Sequence, residues 1–200
     1  MGGLELHQFK SPGLSAIDLT LSPGECVSLT GPSGCGKTRL LRAIADLDPN
    51  EGTATLDEIP RSEIPPTDWR SQVGYLPTES HWWASRVGHH FPDGEEKAFT
   101  TLGFSMECLE WEVTRLSSGE RQRLALVRLL AHSPRILLLD EPTANLDQEN
   151  ISRVESLISQ FIEEQGAAVL WVSHDPAQRK RVAQRHMKIE NGKLETEAWN

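Results

Sequence analysis

The chain has 200 residues, with 20 Lys and Arg against 29 Asp and Glu and a formal net charge of −9. That length admits one α/β domain with a small insertion and leaves no room for a second domain of full size. The charge disfavours sequence-independent nucleic-acid binding and adhesion to anionic lipid, since both depend on clustered Lys and Arg. Apolar residues make up 38% of the chain, and no stretch approaches the roughly 20 apolar residues that span a bilayer. The N-terminus lacks the basic region and apolar block of a secretory leader, so a cytoplasmic location is expected. Cys26, Cys35 and Cys108 show no CxxC spacing, which points to reduced thiols rather than a disulfide framework or a zinc site.

In chain order, antiparallel strands at 4–9 and 17–21 are followed by the turn Ser22-Pro23-Gly24-Glu25 and a buried strand at 26–30. A Gly-rich turn then opens a helix with Leu40, Leu41, Ile44 and Leu47 on one face, ending near Asp48-Pro49-Asn50. A strand at 53–56, the Pro-rich connection Ile64-Pro65-Pro66 and a strand at 73–76 come next. From 80 to 111 the β pattern fades. Trp82, Trp83, Trp111, His81, His89, His90 and the turn Pro92-Asp93-Gly94 mark a small insertion, mostly helical and irregular. A helix at 119–132 leads to Ile136-Leu137-Leu138-Leu139, a strand suited to burial on both faces. A long helix places Ile151, Val154, Ile158, Phe161 and Ile162 on one side, a buried strand covers 167–172, and Asn191-Gly192 signals a hairpin within 188–194. The alternation implies a mostly parallel sheet covered by helices.

Gly31-Pro32-Ser33-Gly34-Cys35-Gly36-Lys37-Thr38 fits G-x-x-x-x-G-K-[ST] and lies between a buried strand and a helix start. Glycines let the backbone approach closely, so amide groups and the helix N-terminus can surround phosphate oxygens. Lys37 would reach the β- and γ-phosphates and Thr38 would ligate Mg²⁺. Asp140-Glu141 ends an apolar strand, at the edge where ligands bind in open α/β sheets. There Asp140 can hold Mg²⁺ through water, and Glu141 can serve as base or orienting group for an attacking water.

Leu116-Ser117-Ser118-Gly119-Glu120-Arg121-Gln122 resembles the signature motif, usually written LSGGQ, of ATP-binding cassette (ABC) ATPases. The supporting motifs follow in family order: the P-loop, this signature, the strand ending in Asp140-Glu141, Asn145-Leu146-Asp147 as the D-loop, and Ser173-His174-Asp175 with the switch histidine. The resemblance covers nearly the whole chain. It implies an α/β P-loop NTPase of the ABC type in one domain, 1–200. A core at 1–79 and 133–200 would hold a mostly parallel sheet and an N-terminal antiparallel part, and 80–132 would form a small helical subdomain. It further implies two copies packed head to tail, each ATP lying between the P-loop of one and the signature of the other. Ser117 and Gly119 would then act in trans, His174 would contact the γ-phosphate and orient Glu141, and Asp147 would link the two sites.

Some positions depart from the family pattern. Thr78 stands where the Q-loop glutamine is expected, leaving Thr78 or Glu79 to approach Mg²⁺-bound water; Ser118 and Glu120 replace a Gly and a Gln of the signature. Phe9 is the nearest aromatic residue for stacking adenine, with a core position as the competing reading. Cys35 lies inside the P-loop, so its alkylation should block nucleotide binding and ATP should protect it.

Residues 39–49, 73–83 and 169–172 look like the FetA-type ATP-binding subunits of iron-export ABC transporters. The resemblance implies a polytopic membrane permease as partner, with attachment to the inner face of the membrane through that protein. A soluble ABC ATPase and an ATP-binding regulatory cassette are the alternatives. The length argues against the first, and retention of Lys37, Glu141 and His174 against the second. Trp82 and Trp83 follow the Q-loop, where a permease helix would dock, or else pack the insertion. The spacing of His81, His89 and His90 defines no metal site, and surface positions are expected for them.

Overall fold

The computed structural model describes residues 3–91 and 96–198. The expected turn at Pro92-Asp93-Gly94 lies outside them. The N-terminal strands β1 (Leu4–Lys10) and β2 (Ile17–Leu21) pair antiparallel with each other and, through β1, with β4 (Glu51–Leu56) and the short β5 (Ile59–Pro60) in the order β2-β1-β4-β5. The larger sheet contains β3 (Cys26–Thr30), β6 (Val73–Leu76), β7 (Ile136–Asp140), β8 (Ala168–Val172), β9 (Arg185–Glu190) and β10 (Lys193–Thr196). Its order is β10-β9-β3-β8-β7-β6, and every pair from β9 to β6 is parallel.

Alternation along the central strands sorts their side chains onto two apolar layers. Leu29, Leu138 and Leu170 face the antiparallel sheet and α1 (Lys37–Ile44). Cys26, Leu137, Leu139, Val169 and Trp171 face α4 (Ser118–Leu130) and α5 (Gln148–Gln165). All five residues of β7 and of β8 are buried, as their unbroken apolar runs demand. Between β6 and α4 the described residues form α3 (Glu96–Thr101) and three short 3₁₀ turns, and Val87, Phe99, Leu102 and Cys108 of this stretch join the same apolar cluster as α4 and α5.

Several expectations need adjustment. The first helix ends at Ile44, and Leu47 is 44% exposed rather than part of the buried face. The Pro-rich connection leads into a helix, α2 (Pro66–Gln72), and a further helix, α6 (Pro176–Val182), follows β8. Both begin with Pro, which is tolerated at the first helical position because its missing N–H would have no partner there anyway. The α2 helix delivers Trp69, fully buried, whose indole N–H donates to the Ile44 carbonyl at 2.9 Å and so satisfies the end of α1. The hairpin between β9 and β10 turns on Asn191 and Gly192, with φ of 50° and 75°.

Trp69→Phe keeps most of the apolar contact but strands the Ile44 carbonyl in the core. It should destabilise the fold by about 1–3 kcal/mol, the usual cost of a buried unpaired acceptor, as read from equilibrium denaturation.

Candidate functional site

Because β3, β8, β7 and β6 are neighbours and parallel, their C-terminal ends open on one edge of the sheet. That edge carries the loop from Gly31 to Gly36 after β3, Ser173-His174 after β8, Asp140-Glu141 at the end of β7, and Thr78 just past β6.

Two glycines account for the shape of the P-loop. Gly31 has φ of 152°, and a Cβ there would sit 2.5 Å from the Ile189 carbonyl oxygen and 2.7 Å from Cys35 Sγ. Gly36 caps α1 in the left-handed region, φ 109°, and no side chain caps the helix, which leaves its first amides for an anion. Pro32, Ser33 and Gly34 are exposed at the rim, and Cys35 is half-buried. Lys37 is buried beneath the loop, its Nζ donating to the carbonyls of Gly31 at 2.9 Å and Pro32 at 3.1 Å.

Thr38 Oγ1 donates to Asp140 Oδ2 at 2.7 Å, and the Tyr75 hydroxyl approaches the same oxygen at 3.3 Å. Burial, then the Asp140 charge, pushes the Tyr75 phenol up, so it remains a donor. A hydroxyl and a carboxylate side by side form the hard oxygen donor set that Mg²⁺ takes in nucleotide sites, with phosphates supplying the other ligands. The glycine cradle, the uncapped helix start and the buried ammonium likewise fit a triphosphate. Among the described residues no group of three or more His, Cys, Asp or Glu is placed to hold a metal ion.

Glu141 sits just past β7 with φ of 52°, an uncommon conformation for a residue with a side chain and one that clusters at functional sites. Its Oε1 lies 3.2 Å from His174 Nε2. The pair lines a cleft of about 190 Å³ together with Thr143, Ala144, Ser173 and Gln178.

The signature lies elsewhere. Ser117 is the N-cap of α4, and three hydrogen bonds tie it to Glu120: Glu120 Oε2 accepts from the Ser117 amide and hydroxyl, both at 2.8 Å, while Ser117 Oγ accepts from the Glu120 amide at 3.3 Å. The Ser117 backbone N–H and then its hydroxyl hold the Glu120 carboxyl below its ordinary range. This reciprocal cap therefore contributes stability at neutral pH and loses it as the pH falls through that lowered value. Gly119 faces Leu146, whose side chain would lie 3.0 Å from an added Cβ. Asp147 caps α5, accepting from the Asn150 amide at 2.8 Å. Among the described residues, no hydrogen bond joins Ser117 or Gly119 to Lys37.

Other predicted positions fall differently. Phe9 is 1% exposed in the core, so it offers no face to an adenine base; the apolar side chain that flanks the P-loop is Leu14, against Gly36. Thr78 Oγ1 donates to the Asp140 carbonyl at 3.3 Å, and Glu79 is exposed. His90 is buried, not superficial: it is wedged between the rings of Trp82 and Trp83, and burial pushes its imidazole below the usual value. Trp82 packs into the insertion's apolar cluster, whereas Trp83 is 74% exposed; Arg128 stacks on both rings, at 4.6 and 4.9 Å.

Sequence reasoning did not single out Gln122 or Gln178. Gln122 closes the signature motif, is buried, and donates to the Pro77 carbonyl at 3.1 Å, while Arg128 from the same helix donates to the His81 carbonyl at 3.0 Å. The signature helix thus holds the segment after β6 at two points. Gln178 bears no motif signal beyond following His174 by four residues.

A P-loop, a strand-end Asp-Glu pair, a histidine beside that Glu, and a separate capped LSSGE segment on one α/β scaffold fit an ATP-binding cassette. A family model described as ABC transporter matches residues 14–144, and the chain belongs to that family. The Probable iron export ATP-binding protein FetA of Escherichia coli (strain K12) is 35% identical over 175 residues, covering 81% of this chain and 78% of that protein. The Aliphatic sulfonates import ATP-binding protein SsuB 3 of Nocardia farcinica (strain IFM 10152) is 38% identical over 184 residues, 90% of this chain and 72% of its own length. Among solved structures, a bacterial Atm1-family ABC exporter with ATP bound superposes with a TM-score of 0.85 at 20% identity, over 97% of this chain and 38% of the exporter chain. A dimeric post-hydrolysis state of the ATP-binding cassette MJ0796 bound to ADP and Pi gives 0.83 at 24% identity, over 98% of this chain and 100% of that one. The chain is an ABC ATPase, with ATP as its substrate.

Burial raises the Cys26 thiol to about 12 and the Cys108 thiol to about 11, which leaves both as poor nucleophiles, while Cys35 is half-buried in the loop. One equivalent of maleimide should therefore label Cys35 and abolish nucleotide binding, and ATP should slow the labelling. Mass spectrometry and a fluorescent-nucleotide titration check this; full binding after stoichiometric labelling at Cys35 would contradict it.

Proposed function

We propose that this chain is the ATP-hydrolysing subunit of an ABC membrane transporter, working as a head-to-tail homodimer docked on a polytopic permease. The observation that carries the reading is the convergence of Lys37, the Thr38–Asp140 pair and the Glu141–His174 pair on one sheet edge, with Ser117 held apart on another element.

In this mechanism the P-loop amides and Lys37 bind the β- and γ-phosphates, the Lys37 ammonium leaving the loop carbonyls for phosphate oxygens. Mg²⁺, held by Thr38 and by Asp140 through water, would neutralise charge on the phosphate oxygens. Glu141 orients the attacking water and takes its proton as the water oxygen bonds to the γ-phosphorus and the bond to ADP breaks. His174, beside Glu141, steadies that carboxylate and contacts the γ-phosphate. Ser117 and Gly119 of a second copy close over the nucleotide, so the site is complete only in the dimer. Asp147 lies at the same interface, and closure and reopening drive the permease.

Glu141→Gln preserves shape but removes the base. It should bind ATP with unchanged affinity, lose about a hundredfold or more in turnover, and accumulate as a closed dimer on size-exclusion chromatography with ATP. Near-native turnover would refute the assignment of Glu141.

Trp83, exposed and stacked on Arg128 after the segment that Gln122 holds, is the proposed anchor for a permease helix, since aromatic and Arg side chains dominate interface energetics. The protein would sit at the inner membrane face through this contact, without lipid or nucleic-acid binding of its own. Iron export is the proposed cargo and direction, supported by the FetA relative; the SsuB relatives favour a second reading, import of aliphatic sulfonates. Trp83→Ala should leave ATP binding and melting temperature unchanged while cells carrying it become as iron-sensitive as cells lacking the gene. Failure of both strains to grow on aliphatic sulfonates, with normal iron tolerance, would instead establish import.

A further inference from the structure

We propose that Gln178 is a positioning residue for hydrolysis, clamping the loop that carries Glu141 to the loop that carries His174. The inference rests on the assignment of those two residues given above.

Glu141 and His174 face each other across 3.2 Å, yet they belong to loops that leave different strands. The last backbone link between these loops is the Glu141 amide donating to the Val172 carbonyl at 3.2 Å. Beyond it, Gln178 of α6 spans the gap with its amide group. The Ser173 hydroxyl, immediately before His174, donates to Gln178 Oε1 at 2.8 Å. The Thr143 hydroxyl, two residues after Glu141, lies 3.1 Å from Oε1 and 3.0 Å from Nε2. Gln178 Nε2 also donates to Glu155 Oε1 of α5 at 2.9 Å, and Arg181 holds the Glu155 carboxylate at 2.8 and 3.2 Å. Gln178 itself is 2% exposed, so these bonds form in a site of low dielectric, where losing a partner is costly.

The chemistry of the position calls for an amide. One oxygen must accept from a hydroxyl on each catalytic loop while one nitrogen donates to a fixed carboxylate, and an amide does both at once. A carboxylate at 178 would face the Glu155 carboxylate with no proton between them. Exchanging the two groups, carboxylate at 178 and amide at 155, restores a donor opposite an acceptor and still accepts from both hydroxyls; Arg181 Nε keeps the remaining oxygen at 155, and its Nη2, on a half-exposed side chain, turns to water.

ATP turnover, nucleotide affinity and melting temperature of the full chain test this in Gln178→Glu, Glu155→Gln and the double exchange. Loosening the loops should lower kcat of Gln178→Glu by about tenfold, since small displacements of catalytic groups carry costs of that order or larger, with nucleotide Kd within about twofold of native. The double exchange should recover most of that loss. Native kcat in Gln178→Glu would overturn the proposal. So would a double exchange that folds like the native chain yet turns over no faster than the single variant, or a loss of kcat matched by an equal loss of nucleotide affinity. Failure of the underlying assignment reads out separately, as undiminished turnover in Glu141→Gln.

Discussion

Parallel pairing of β3, β8, β7 and β6 is the constraint on which the rest of the molecule depends. Parallel neighbours end on the same side, so four loops far apart in sequence meet at one edge without any long-range design in the loops themselves. The hydrogen bond from Thr38 to Asp140 joins positions 102 residues apart, and it exists because strands two places apart in the sheet finish level with each other. Burial of β7 and β8 on both faces keeps that level, since a slip of one residue would turn Leu137, Leu139, Val169 and Trp171 from one apolar layer into the other.

Much of this is legible in the sequence. Unbroken apolar runs marked the central strands, and a P-loop declares its own surroundings because it needs a strand before it and a helix after it. Legibility failed where long-range packing decides. Leu47 has the right spacing for the buried face of α1, but the helix stops short once Trp69 closes its end. Strict alternation from Leu4 and Leu6 would put Phe9 on the accessible side of β1, but the strand bulges at Gln8, φ 46°, which returns Phe9 to the buried side, and alternation does not announce a bulge. Pro at the start of α2 and of α6 reads locally as a break, although it is compatible with the first turn of a helix. The contacts of Gln122 and Gln178 are not legible in the sequence for another reason: a buried amide is recognised by its partners, and those come from other elements.

The signature shows how one local motif serves two ends. Its Ser117–Glu120 cap satisfies the amides of those two residues within a single chain, and the same N-terminus, with Ser117 exposed, presents the positive end of the helix dipole outward. From the inner side, Gln122 and Arg128 tie α4 to the segment that carries Trp83. In the proposed assembly this one helix would connect a nucleotide-facing end with a partner-facing surface, a shear element of the kind that passes small movements between distant surfaces.

The Lys37 ammonium has a consequence for the thermodynamics of ligand capture. It rests on two carbonyls of its own loop and is already buried there. In the proposed mechanism an arriving triphosphate would exchange one set of acceptors for another, the ordering of the side chain having been met when the chain folded. Selectivity for phosphate over weaker anions then follows from competition, because only a ligand offering more negative charge than two peptide carbonyls can draw the ammonium away from the loop.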